Sequence, residues 1–133
     1  MSPIKVAQAL VTVLVVFFLL VCILNAIFFV PWYINLIYNT HTLADLAATD
    51  NYISDETLES MENIMKSSGL YVWSEVSIQG PDYSGRTQRG GLFEVAITAS
   101  YHARGVGGIL DFDIPFEVTY RLPTCGLRYY KDL

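Results

Sequence analysis

The side chains that could do chemistry are few and widely separated. His41 and His102 are the only histidines; they lack the short spacing of a metal pair, and no cysteine lies near either. Both therefore read as structural. Asp111 and Asp113 set two carboxylates on one strand face, which could help to hold a cation. A calcium site needs about six or more oxygen ligands, and nothing beside them resembles a loop that supplies these, so a solvated face is expected. The glycine-bearing stretches GRTQRGG and RGVGG lack the spacing of a phosphate cradle and read as hairpin loops. Arg86 and Arg89 form the densest basic pair, too small a footprint for nucleic acid on a chain of net charge -5. Serine, histidine and aspartate are present, but no nucleophile motif frames them. No catalytic residue, cofactor, metal ligand or small-molecule substrate is expected, and the chain is not expected to be an enzyme.

The two cysteines fit the same picture. Cys22 lies inside an apolar run and Cys125 near the C-terminus, so hydrocarbon would separate them and no disulfide is expected. Each is read as a small buried hydrophobe.

The residue that matters most is the apolar one. Of 133 residues, 53% are hydrophobic and 16% charged, and the apolar excess falls before Tyr38. No charged residue stands between Lys5 and Asp45. Residues 6–30, VAQALVTVLVVFFLLVCILNAIFFV, are long enough to cross about 30 Å of hydrocarbon. Gln8, Thr12, Cys22 and Asn25 interrupt the run at the lesser cost of neutral polar groups. Lys5 on one side, and Trp32, Tyr33 and Tyr38 on the other, mark the two membrane interfaces. The only cations near the span, the amino terminus and Lys5, precede it, which predicts a cytoplasmic N-terminus and an extracytoplasmic C-terminal domain. The run exceeds the h-region of a cleaved secretory signal, no A-x-A site follows, and no basic leader ending in glycine precedes it. The chain from Met1 onward is expected to persist.

Beyond the span, Leu36, Leu43, Leu46 and Ala47 keep helical spacing, so helix continues outward, either kinked at Pro31 or broken there into two helices. A second helix is predicted over Asp55–Ser68, with Ser54 as cap, Asp55 and Glu56 in the first turn, Lys66 in the last and Gly69 as terminator. Its apolar stripe is Leu58, Met61, Ile64 and Met65. The period then changes. LYVWSEVSIQ reads as a strand followed by a long loop. A second strand alternates Phe93, Val95, Ile97, Ala99 and Tyr101 with polar or small residues. A third sets Leu110, Phe112, Ile114, Phe116, Val118, Tyr120 and Leu122 against a wet face, and Pro115 requires it to be an edge strand or to carry a bulge. The tail could add a fourth. The expected fold is α+β: a long N-terminal transmembrane helix continuing into helices packed on a small antiparallel three- to four-stranded sheet. The chain divides into a cytoplasmic N-terminus (1–5), a transmembrane helix (6–30), a helical spine with a second helix (31–69) and an antiparallel β domain (70–133).

This order of elements resembles a type IV pilin or pseudopilin, including the TadE-like proteins of tight-adherence pili. The tail CGLRYYKDL is similar to the Gly-x-Ser-x-x-Tyr-x-Lys ending of an uncharacterised TadE-related family of Gram-positive conjugative elements, with Gly126, Tyr130 and part of the spacing in common and Arg128 departing from it. The chain also departs from pilins in having no leader peptidase site and no glutamate just inside the apolar segment. The resemblance implies a pilin-like or pseudopilin-like structural subunit of an envelope filament, secretion or conjugation apparatus. Its partners would be membrane lipid and copies of itself or related subunits. Gln8 and Asn25 are then the candidates for hydrogen bonds between neighbouring helices. The alternative is a singly held, membrane-anchored binding module.

Overall fold

A computed structural model describes residues 2–81, 90–105 and 112–127. One helix, α1 (Pro3–Asp50), runs for 48 residues, or about 72 Å. Ser2 caps it by accepting a hydrogen bond from the Lys5 amide at 3.3 Å, and Pro3 occupies the first turn, where its missing N–H is not needed. The choice left open at Pro31 resolves as continuity: helix is unbroken through the proline. Asn51, with φ of 62°, ends it in the left-handed conformation that asparagine tolerates.

A short connection leads to α2 (Asp55–Ser68), whose bounds and caps follow the sequence. Ser54 accepts from the Thr57 amide at 3.1 Å, Gly69 closes the helix with φ of 69°, and Lys66 pairs with Glu62 at 2.6 Å one turn earlier. Its buried line differs from the expected stripe. Thr57, Met61 and Met65 are buried at a spacing of four, whereas Leu58 and Ile64 lie on the shoulders and stay partly exposed. A single line of contact is enough for a short helix laid against one neighbour.

The strand expected over residues 70–79 shrinks to β1 (Ser77–Gln79), preceded by a 3-10 turn over Trp73–Glu75. The aromatic residues that gave this stretch its strand-like composition act as wedges instead. Tyr71 and Trp73 pack on the core, and the Tyr71 hydroxyl donates to the Trp32 carbonyl at 3.2 Å. β2 (Leu92–Arg104) and β3 (Asp113–Cys125) form a long antiparallel hairpin, giving a three-stranded sheet in the order β1-β2-β3 among the described residues. Pro115 is accommodated as expected: β3 is an edge, and pairing with β2 is continuous from Asp113 to Cys125. The possible fourth strand falls largely on residues 128–133, outside the described ones.

The core lies between the outer half of α1 and one sheet face. Trp32, Leu36, Leu43, Ala44 and Ala47 meet Met61 and Met65 from α2 and Val95, Ile97 and Ala99 from β2. Val118, Tyr120 and Leu122 of β3 close the side, as their alternation requires. The other face of β2 is drier than its sequence suggests, because Ala96 and Thr98 are small residues on a central strand, overshadowed from β1 and β3. Thr98 and Thr119 share a hydrogen bond of 2.7 Å across the pair. The chain beyond β3 returns to the end of α1. The Leu127 amide donates to the Ala48 carbonyl at 2.9 Å, one of the last-turn carbonyls that a helix cannot satisfy itself. Gly126 sits so close to the buried Asn51 side chain that a Cβ there would overlap it.

Candidate functional site: the exposed helix and the membrane-proximal end of the domain

No described residue buries a side chain of the inner half of α1. From residue 2 to residue 20 no side chain is buried, and the apolar ones are exposed on every side of the helix. This helix is long and apolar enough to cross a membrane. Lys5 and Gln8 are exposed here, and the Gln8 carbonyl accepts a hydrogen bond from Thr12 Oγ1 at 2.8 Å. Cys22, expected to be buried, is exposed on the same bare helix; Cys125 is half-buried. Nothing among the described residues packs on that face of the span.

Protein begins at Val21, well inside the apolar run. Asn25 is the joint. Its Nδ2 donates to the Val21 carbonyl and to the Arg104 carbonyl, both at 2.9 Å, and its Oδ1 accepts from the Arg104 amide at 2.9 Å. Thus both amide hydrogens of Asn25 are used within its own chain, not offered to another helix as expected. The reason lies in the sheet. β1 pairs only with residues 96–98 of β2, and Gly105 donates to Phe112 across the hairpin, so Arg104 turns its N–H and C=O away from β3. Asn25 supplies the donor and acceptor that a longer β1 would have supplied. Tyr101 adds a bond from its hydroxyl to the Asn25 carbonyl at 2.8 Å.

Above this joint stands a group of rings. Phe29 stacks on Tyr33 with centroids 5.6 Å apart and meets Tyr101 edge-on at 5.0 Å; Trp32 lies 5.2 Å from Tyr101 and 5.4 Å from Tyr71. Trp32, expected to settle among lipid headgroups, is only 4% exposed: its ring meets protein. Tyr33 is half-buried, and Tyr38 points outward. Burial pushes the Tyr71 and Tyr101 hydroxyls above the ordinary tyrosine range, so both stay protonated and donate. A groove of about 560 Å³ runs beside the rings, lined by Val21, Leu24, Phe28, Leu70, Val72 and Arg104 among others.

On the far face of the sheet, His102 bridges two carboxylates. Its Nε2 lies 2.7 Å from Glu75 Oε2 and its Nδ1 2.8 Å from Asp113 Oδ1, while Arg104 Nε approaches the other Asp113 oxygen at 4.0 Å. The hydrogen bond to Glu75, followed by that to Asp113, raises the His102 pKa above the ordinary histidine value. Asp113 is not the plain solvated carboxylate expected of it: the hairpin register puts it beside His102. Among the described residues no group of three or more His, Cys, Asp or Glu side chains is placed to hold a metal ion. His41 is exposed, its ring 6.3 Å from that of Tyr120. Asp111, Arg86, Arg89 and Tyr130 lie outside the described residues.

Sequence reasoning missed Arg104 as the partner of Asn25 and Glu75 as a partner of His102. A polar residue in an apolar run and a strand that ends before its neighbour were both visible, but not that one answers the other. Comparison with protein-family models, curated proteins and solved structures finds no match to this chain.

Proposed function

We propose that the chain is a pilin-like or pseudopilin-like structural subunit of an envelope filament, secretion or conjugation apparatus, assembled through its hydrophobic N-terminal helix. The observation that carries this is the bare inner half of α1: residues 6–20, about 22 Å of helix, present apolar side chains on all sides beneath a domain that packs on the outer half. Such a surface has two stable surroundings, hydrocarbon and other apolar helices, and a subunit that moves from one to the other uses both. The N-terminus is cytoplasmic and the domain extracytoplasmic, by the placement of Lys5. Electron microscopy of the purified full chain, after detergent is withdrawn, tests the proposal. Regular filaments or closed rings are the expected product; particles that remain single at every protein concentration contradict it.

A second reading has one observation in its favour. Asn25 is committed to Arg104 of its own chain, which removes one of the two polar residues that could bond between helices and leaves Gln8. A singly held anchor supporting a protein-binding module needs no such bonds. Retention of the monomer in native membranes after chemical crosslinking would favour it.

A further inference from the structure

We propose that the membrane-proximal end of the domain is seated in the outer leaflet, with phospholipid against both flanks of α1, and does not stand clear of the bilayer on a stalk. The proposal rests on the reading that α1 crosses a membrane. Lys5 sets the inner limit of the hydrocarbon, and about 30 Å of hydrocarbon takes about 20 helical residues, which brings its outer limit to Asn25. Asn25 is the residue bonded to both backbone groups of Arg104, so the end of β2 is fixed at that level. A domain held wholly in water would need the hydrocarbon to end before Val21. Residues 6–20 would then have to span it with about 22 Å of helix, too short for an ordinary bilayer.

The surface at this level is made for the position. Leu70 and Val72, on the β1 side, are 48% and 54% exposed; Ile114 and Phe116, on the β3 side, are 48% and 51% exposed. Leu24 and Phe28 continue the same apolar surface onto the helix. Ile114 and Phe116 pair with Ala103 and Tyr101 on the sheet face that carries the core, yet nothing in the described chain covers them. They lie at the level of the Asn25 joint, where the apolar helix surface is continuous with them. Arg104, exposed beside the joint, matches the phosphate layer of the headgroups. Ile114 and Phe116, opposite Ala103 and Tyr101, lie one and three residues up the strand from Arg104, so the cation and the apolar side chains meet the interface together.

Spin labels on the full chain test this in vesicles of phosphatidylcholine and phosphatidylglycerol, with Cys22→Ser and Cys125→Ser as background. Labels at Val72→Cys and Phe116→Cys are compared with Leu14→Cys in the span and Glu56→Cys at the far end of the domain. Collisions with oxygen, concentrated in hydrocarbon, are measured against those with a water-soluble nickel chelate. The expected result is that Val72→Cys and Phe116→Cys collide more with oxygen and less with nickel than Glu56→Cys does, though less extremely than Leu14→Cys, as residues at the outer limit of the hydrocarbon should. If both resemble Glu56→Cys while Leu14→Cys stays in lipid, the domain stands clear of the membrane and the proposal fails although α1 still spans. If Leu14→Cys is itself open to nickel, the membrane-spanning reading fails and takes the proposal with it. Protection from both reagents with spin-spin broadening would mean that a second copy, not lipid, covers the surface.

Discussion

Asn25 carries more of the architecture than any other polar residue in the apolar run. Its side chain makes three hydrogen bonds, one to the Val21 carbonyl within the helix and two to the strand edge at Arg104. Asn25→Leu keeps the hydrophobicity needed for insertion but leaves the N–H and C=O of Arg104 without partners, at a cost of about 1–3 kcal/mol. The Arg104 amide should then exchange with deuterium faster, whereas Gln8→Leu should leave that exchange unchanged. His102 has a different signature. With both ring nitrogens protonated it donates to Glu75 and Asp113 at once; the neutral ring donates to only one. Because its folded pKa is raised, the stability it contributes is complete below the ordinary histidine value and is lost as pH rises through the raised one. Urea unfolding across about pH 5 to 8 should show that slope, and His102→Gln should flatten it. Arg104, close to Asp113, competes for one carboxylate, so Glu75→Gln should lower the His102 titration midpoint further than an exposed acid elsewhere would.

The elements were legible where a local rule dictates them. Ser54, Gly69 and the charges between them give α2 its bounds, and alternation places β2 and β3, although β3 runs on to Cys125, past the Leu122 at which the alternation stops. Legibility failed where one element completes another. Residues 70–76 have the composition of a strand, but Tyr71 is drawn to a carbonyl of α1 and Trp73 to the core, and no local pattern encodes either attraction. The same holds for the Asn25 joint, which depends on β1 being short. It holds also for the return of the chain to the end of α1, where Gly126 approaches Asn51 and Leu127 bonds to Ala48. Gly126→Ala tests that closure: the added methyl overlaps a buried side chain, and overpacking of this kind costs about 1–3 kcal/mol. The melting temperature of the solubilised protein should drop accordingly. Gly69→Ala, with open space around it but a left-handed backbone, should cost about 1–2 kcal/mol through strain alone.

At the scale of the whole molecule, one helix serves two environments. Its outer half is the central pillar of the core, and nothing among the described residues buries a side chain of its inner half. A chain built this way places its domain at a fixed height above Lys5 and leaves a long apolar surface for its neighbours. If that surface serves assembly, contacts between copies must fall on a particular stripe of α1, because helices pack by matching shapes and not by hydrophobicity alone. The most direct measurement is a scan of single cysteines through residues 6–20, in a Cys22→Ser, Cys125→Ser background, with oxidative crosslinking in native membranes. Crosslinked species are expected to rise and fall with helical periodicity along the scan and to weaken when Gln8→Leu is added. Monomer at every position, with the protein still embedded in the membrane, would contradict assembly through α1 and reduce it to an anchor.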